Sequence, residues 1–180
     1  VAVPISVGGR VSGVLDGQHN IVNRLGQQDV DLLQSIANQA GVAGQNAARM
    51  AAAMGAYVTA FDRSPDALRA IEATAPNITG LFAYQDAIAT AMREADMVIG
   101  AVLIPGAKAP KLVTRDMVRA MPDGGFIADI SIDQGGCIET IRATDYRNPV
   151  YVEEGVMHMG VTNMPGAVPR TASQALSGAI

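Results

Sequence analysis

Val1 to Val7 and Val11 to Leu15 are β-branched, apolar runs separated by Gly8 and Gly9. Glycine at both turn positions accepts positive φ without a Cβ clash, so the pair predicts a β-hairpin. Gly17 to Gly26 is polar and rich in Asn and Gly, which predicts a loop. From Gln27 the period changes: Val30, Leu33, Ile36, Ala37, Ala40, Ala43 and Ala47 fall on one helix face. The helical pattern runs on through Asn46–Met54 to Gly55, longer than most globular helices. Gly41 and Gly44 are its weak points, and either a break or a turn is expected there.

After Gly55 short apolar runs alternate with helical stretches. Tyr57–Phe61 predicts a short buried strand, and Ser64 followed by Pro65 predicts a capped helix that turns Ala67, Leu68 and Ile71 inward and stops before Pro76. A weak strand near Thr79–Ala83, a helix over Gln85–Glu94 and a strand over Met97–Leu103 follow. Thr114 predicts the cap of a short helix ending near Met121, and Gly125–Ile130 a buried strand. Val150–Val152 and Val156–Val161 are the last expected strands, and Pro169–Ala179 the last helix. Such alternation means an α/β fold, a doubly wound, Rossmann-like parallel sheet with helical crossovers. It holds from Tyr57 onward, not for the first 45 residues. The expected organisation is therefore a hairpin and helix over 1–40 and a nucleotide-fold domain over 41–180.

Composition narrows the function classes. Apolar residues make up 49% of the 180 and charged residues 17%, enough for a sizeable core and against disorder. The net charge of −4 argues against a nucleic-acid or anionic-membrane partner, and no apolar run reaches the roughly 20 residues that span a bilayer. Val1 begins without an initiator Met, a basic n-region or a cleavage site, so no signal peptide is expected and the start reads as that of a fragment. A single Cys137 excludes an internal disulfide, and a cytoplasmic setting is the default. Two distant His and one Cys make no credible metal site.

A dinucleotide site needs a strand, a glycine turn into a helix, and an acidic residue about 20 positions on for the ribose. Ala40-Gly-Val-Ala-Gly44 leads into a helix, and Asp62 ends the next strand. Gly41 and Gly44 would let backbone N–H groups approach a pyrophosphate, and Asp62 would favour NAD over NADP by repelling a 2′-phosphate. Gln39 stands where the first glycine belongs and Leu32–Asn38 has a helical pattern, so a GxxG within a packed helix accounts for the same residues. Asp62 is equally suited to capping the helix at Ser64.

Gly41-Val-Ala-Gly-Gln-Asn-Ala-Ala-Arg49, Met54-Gly-Ala, Ile104-Pro-Gly-Ala-Lys-Ala-Pro-Lys-Leu-Val113, Ile132-Asp-Gln-Gly-Gly-Cys137 and Asn163-Met-Pro-Gly-Ala-Val-Pro-Arg-Thr171 resemble alanine dehydrogenases. Proton-translocating transhydrogenases share the fold, but Asp-Gln-Gly-Gly-Cys and Asn-Met-Pro favour alanine dehydrogenase. The resemblance covers about Gly41 to Ala179. It implies NAD as cofactor and hydride transfer between NAD and L-alanine, giving pyruvate and ammonia. It sets Gly41 and Gly44 at the pyrophosphate and Asp62 at the adenosine ribose. Val102 and Leu103 would line the nucleotide cleft, Ile130 and Asp133 lie near the nicotinamide, and Asn163 and Met164 close over it. Asp133 would be the carboxylate of the reaction centre, orienting water or the substrate ammonium. Ala83 stands where family members often have a Ser near the nucleotide.

Bland roles compete with several of these. Asp133 before Gln-Gly-Gly suits an ordinary turn, Cys137 a small buried hydrophobe, and His158 a satisfied core or edge histidine. His19 falls in a polar loop, and Lys108 and Lys111 are expected to be exposed.

Val3-Pro-Ile-Ser-Val-Gly-Gly-Arg-Val-Ser-Gly-Val-Leu15 and Gln28-Asp-Val-Asp-Leu-Leu-Gln-Ser-Ile-Ala-Asn-Gln39 resemble the end of a GAF domain, a small-ligand sensor module. The chain then reads as a chimera whose junction lies within Gln39–Gln45. The alanine dehydrogenase resemblance implies a central strand just before the glycine turn and a further domain carrying a catalytic Lys and His. Neither is identified in this sequence, and the strand's neighbours would be left unpaired unless Val1–Val7 or Val11–Leu15 takes its place. The overall expectation is an NAD-binding module of a homo-oligomer with a small-molecule substrate, incomplete as an enzyme by itself. A GAF-like sensory or dimerisation module and a non-catalytic scaffold are the alternatives.

Overall fold

The computed structural model describes residues 2–7, 10–16, 43–102 and 108–179. Gly41, Leu103, His19 and the expected loop over Gly17–Gly26 lie outside them, as does the helical pattern from Gln27 to Val42. Strands β1 (Ala2–Val7) and β2 (Arg10–Asp16) pair antiparallel around Gly8 and Gly9, the expected hairpin. They pair with each other and with no other described strand, so neither takes the place of a central strand. Closing a two-residue loop costs little chain entropy, and the hairpin satisfies the facing amides locally.

Helix α1 covers 43–53 among the described residues, and Gly44 lies within it. Parallel strands β3 (Val58–Asp62) and β4 (Ile78–Phe82) flank α2 (Pro65–Glu72) and form a two-stranded sheet. Ser64 caps α2 by accepting from the Ala67 N–H at 3.3 Å, with Pro65 in the first turn, where its missing N–H costs nothing. Ile71 of α2, Ile78 of β4 and Ala52 of α1 bury one another in a small core. β3 is half-exposed rather than buried, because among the described residues it pairs on one edge only.

The larger sheet has four strands in the order β5 (Met97–Gly100), β6 (Phe126–Asp129), β8 (Val156–Met159), β7 (Val150–Glu153). β5, β6 and β8 run parallel, and β7 closes the edge antiparallel to β8. Glu154 and Gly155, both at positive φ (52° and 78°), make the tight β7–β8 turn. Arg115 and Arg119 hold that turn: Arg119 Nε lies 2.9 Å from Glu154, and Arg115 pairs with Glu153 at 2.6 Å and with Glu154. These arginines hold the Glu154 carboxyl below its usual range.

Helices α3 (Gln85–Met92) and α4 (Arg115–Arg119) cover one face of this sheet. Ile88 and Met92 from α3 and Met117 and Val118 from α4 pack with Ile127, Val156 and the half-buried Val98. Thr114 caps α4, accepting from the Met117 N–H at 3.3 Å. On the opposite face the register brings Met97, Phe126, Met157 and Val152 into one row. Met97, Met157 and Val152 in that row are exposed, so among the described residues helices cover one side of the larger sheet. Helix α5 (Pro169–Ala179) ends the described chain with the bounds its sequence predicts.

Candidate functional site

Parallel strands deliver their next residues to one edge of a sheet, where ligands of α/β folds bind. Here the carboxyl ends of β5, β6 and β8 are followed by Ala101–Val102, by the 3-10 turn Ile130–Gln134, and by Asn163–Met164. β5 stops at Gly100, short of the expected Leu103, and Val102 donates its N–H to Ser131 Oγ at 2.7 Å. That bond ties the chain leaving β5 to the turn leaving β6.

Gly44 explains how α1 reaches the same edge. A Cβ there would stand 3.0 Å from Ala101 Cβ, a tight contact, so glycine lets the helix lie this close to the residue after β5 without displacing it. Asp62 ends β3, exposed, and its Oδ1 accepts the Ser64 N–H at 2.8 Å. It thus supports the turn into α2 while Ser64, not Asp62, caps the helix. The structure therefore brings Val102, Ile130, Asp133, Asn163 and Met164 to the edge of the larger sheet, with Gly44 beside it and Asp62 at the end of β3.

The 3-10 turn owes its shape to Asp129, a residue the sequence pattern passed over as part of an apolar strand. Its side chain is fully buried, with Oδ1 accepting from Ser131 N–H at 2.8 Å and Oδ2 from Cys137 N–H at 2.7 Å. Gly136, at φ 71°, must be glycine, since a Cβ would lie 2.7 Å from Asp129 Oδ2. Lys111 holds the loop from outside, its ammonium donating to the carbonyls of Gly135, Gly136 and Ile138 at 2.7, 2.9 and 2.9 Å. Lys111 is exposed as expected, but its amine is a loop clamp. The outcome is an exposed Asp133 on a turn fixed by its neighbours. A carboxylate inside an otherwise apolar strand is the signal that finds Asp129, because a buried charge must have partners.

Two side chains behave as the bland expectations had them. Burial pushes the Cys137 thiol up to about 12, so it is an inert thiol at neutral pH. His158 is fully buried, its Nδ1–H donating to the Val156 carbonyl at 2.9 Å and its Nε2 accepting from the Thr140 hydroxyl at 2.7 Å. Tyr151 stacks on the His158 ring at 5.2 Å and donates its hydroxyl to the Thr140 carbonyl at 2.7 Å. Among the described residues no group of three His, Cys, Asp or Glu side chains could hold a metal ion, and no helix is long and apolar enough to cross a membrane.

The model of the family "Alanine dehydrogenase/PNT, C-terminal domain" matches residues 38–180. The chain belongs to this family. The domain is the NAD-binding part of these enzymes. The alanine dehydrogenase of Halomonas elongata is 50% identical over 140 residues, which are 77% of this chain and 38% of that protein. That of Staphylococcus haemolyticus is 49% identical over 141 residues, with the same two shares. A solved L-alanine dehydrogenase superposes with a TM-score of 0.73 at 45% identity, over 78% of this chain and 39% of that one. A transhydrogenase from Sinorhizobium meliloti follows at 0.66 and 33%, over 75% and 38% of the two chains. The family member described here thus spans under two fifths of the relatives it matches. The parallel-sheet, Rossmann-like fold agrees with the sequence expectation.

Proposed function

We propose that this chain binds NAD across the carboxyl edge of its parallel strands, as the nucleotide module of an alanine dehydrogenase. The observation that carries the proposal is the convergence at that edge: Val102, Ile130, Asp133, Asn163 and Met164 follow three neighbouring parallel strands, and Gly44 lets α1 press against the end of β5. These residues suit the group. Gly44 in α1 fits close approach to a pyrophosphate, and the exposed Asp62 carboxylate fits two ribose hydroxyls. Val102 lines the cleft. Ile130 packs beside the nicotinamide, and Asn163 and Met164 close over it. When bound, the nicotinamide supplies the hydride chemistry. Asp133 orients the substrate ammonium or a water from its turn, with the loop shape fixed by Asp129 and Lys111.

The reaction we propose for the whole enzyme is interconversion of L-alanine with pyruvate and ammonia, in a cytoplasmic homo-oligomer. The antiparallel hairpin β1–β2, a sheet of its own, supports a different origin for residues 1–45, a GAF-like tail joined to the nucleotide module as a chimera.

Titration of NADH with the 180-residue chain tests the cofactor assignment. The chain has no Trp, so nicotinamide emission can be excited and followed without tryptophan overlap. A saturable rise in emission at one NADH per chain is expected. A linear, unsaturable signal up to millimolar NADH would overturn the assignment.

A further inference from the structure

We infer that Tyr146 is a positioning residue for the nicotinamide end of the site, acting through the backbone of Asn163 and Met164. The inference rests on the proposed placement of those two residues and names what holds them.

Asn163 stands in the left-handed region, at φ 51° and ψ 50°. Asparagine tolerates this conformation better than most residues, yet it persists only where the surroundings fix it. Its side chain makes no capping bond to the 3-10 turn Met164–Ala167 that it opens. The turn is braced from two sides instead. From within, the Gly166 N–H donates to the Asn163 carbonyl at 2.9 Å. From across the loop, the Tyr146 phenol donates to the Met164 carbonyl at 2.8 Å and is shared with the Asn163 carbonyl at 3.2 Å.

The phenol comes from a firm base. Thr144 accepts from the Thr162 N–H and donates its own N–H to the Gly160 carbonyl at 2.8 Å, which ties the strand end at Gly160–Thr162 to this loop. Its hydroxyl donates to the Pro149 carbonyl at 2.9 Å, and Asp145 Oδ1 accepts from the N–H groups of Arg147 and Asn148, both at 2.9 Å. Tyr146 is thus held at the crest of a closed turn, and its reach to Asn163 and Met164 is fixed by backbone rather than by side-chain chance. At 54% exposure its burial contributes little to the core, so a fold-building role does not explain it. What the phenol fixes is the direction in which Asn163 and Met164 face the edge.

The test is Tyr146→Phe, which removes one oxygen at an exposed site. Affinities for NADH and for ADP-ribose, which lacks the nicotinamide, are measured with the melting temperature. Loss of one hydrogen bond predicts about fivefold weaker NADH binding, with ADP-ribose affinity and melting temperature unchanged. Amide exchange at Gly166 should quicken in the same variant, because the turn it closes is freed. Equal loss for both ligands, or no loss for either, overturns the inference while leaving the proposed function standing. Failure of the unsubstituted chain to bind NADH overturns both.

Discussion

Asp129→Ala is expected to destabilise the chain by about 3–5 kcal/mol, because it strands two buried N–H donors and leaves a cavity. The donors are the backbone N–H groups of Ser131 and Cys137, which meet the two carboxylate oxygens at 2.8 and 2.7 Å. For a chain of this length that loss lowers the melting temperature by about 6–20 °C. Asp129→Asn should rescue little, since its NH2 group would face one of the two donors. Asp133→Ala, four positions on and exposed, should stay within about 0.5 kcal/mol of the parent. Thermal melts of the three variants check this. Similar melting temperatures for Asp129→Ala and Asp133→Ala would show that the carboxylate does not organise the turn.

The contrast between these two aspartates shows what the sequence reveals. Asp133 stands in a motif, Asp-Gln-Gly-Gly-Cys, and is legible by resemblance. Asp129 lies in an apolar run, and its partners become visible only once the chain has turned through Gly135 and Gly136 to bring Cys137 back. Local signals read well: the Ser64 and Thr114 caps, Pro65 in the first turn of α2, and α5 over Pro169–Ala179 all depend on neighbours a turn away. Strand pairing does not read so directly. Nothing near Val58 or Met97 announces that, among the described residues, β3 pairs with β4 and β5 with β6, because pairing is decided between distant segments. Tyr146 is not legible in the sequence for the same reason, its acceptors lying 17 and 18 positions away on another loop.

The second large effect is on turnover. Mixed with NAD and L-alanine, the 180-residue chain is expected to produce no NADH above the uncatalysed background. Alignment of substrate with cofactor and positioned acid–base groups together account for many orders of magnitude in rate. The chain spans 38% of the length of the alanine dehydrogenases it matches. In the proposed site Asp133 orients an ammonium or a water but does not by itself supply both an acid and a base. The check is absorbance at the reduced-nicotinamide band over hours at high protein concentration. Alanine-dependent NADH formation abolished by Asp133→Asn would show that the chain carries a complete site.

The most direct test of the central claim is the ratio of NADPH to NADH dissociation constants, measured by calorimetry on the parent chain and on Asp62→Ala. If Asp62 meets the adenosine ribose, the parent should prefer NADH by about tenfold or more, the effect of roughly 1.4 kcal/mol of repulsion at a 2′-phosphate. Asp62→Ala should weaken NADH and bring the two affinities together. Equal affinities in the parent chain, or an Asp62→Ala change confined to about 1 kcal/mol of stability through the lost Ser64 bond, would contradict the account.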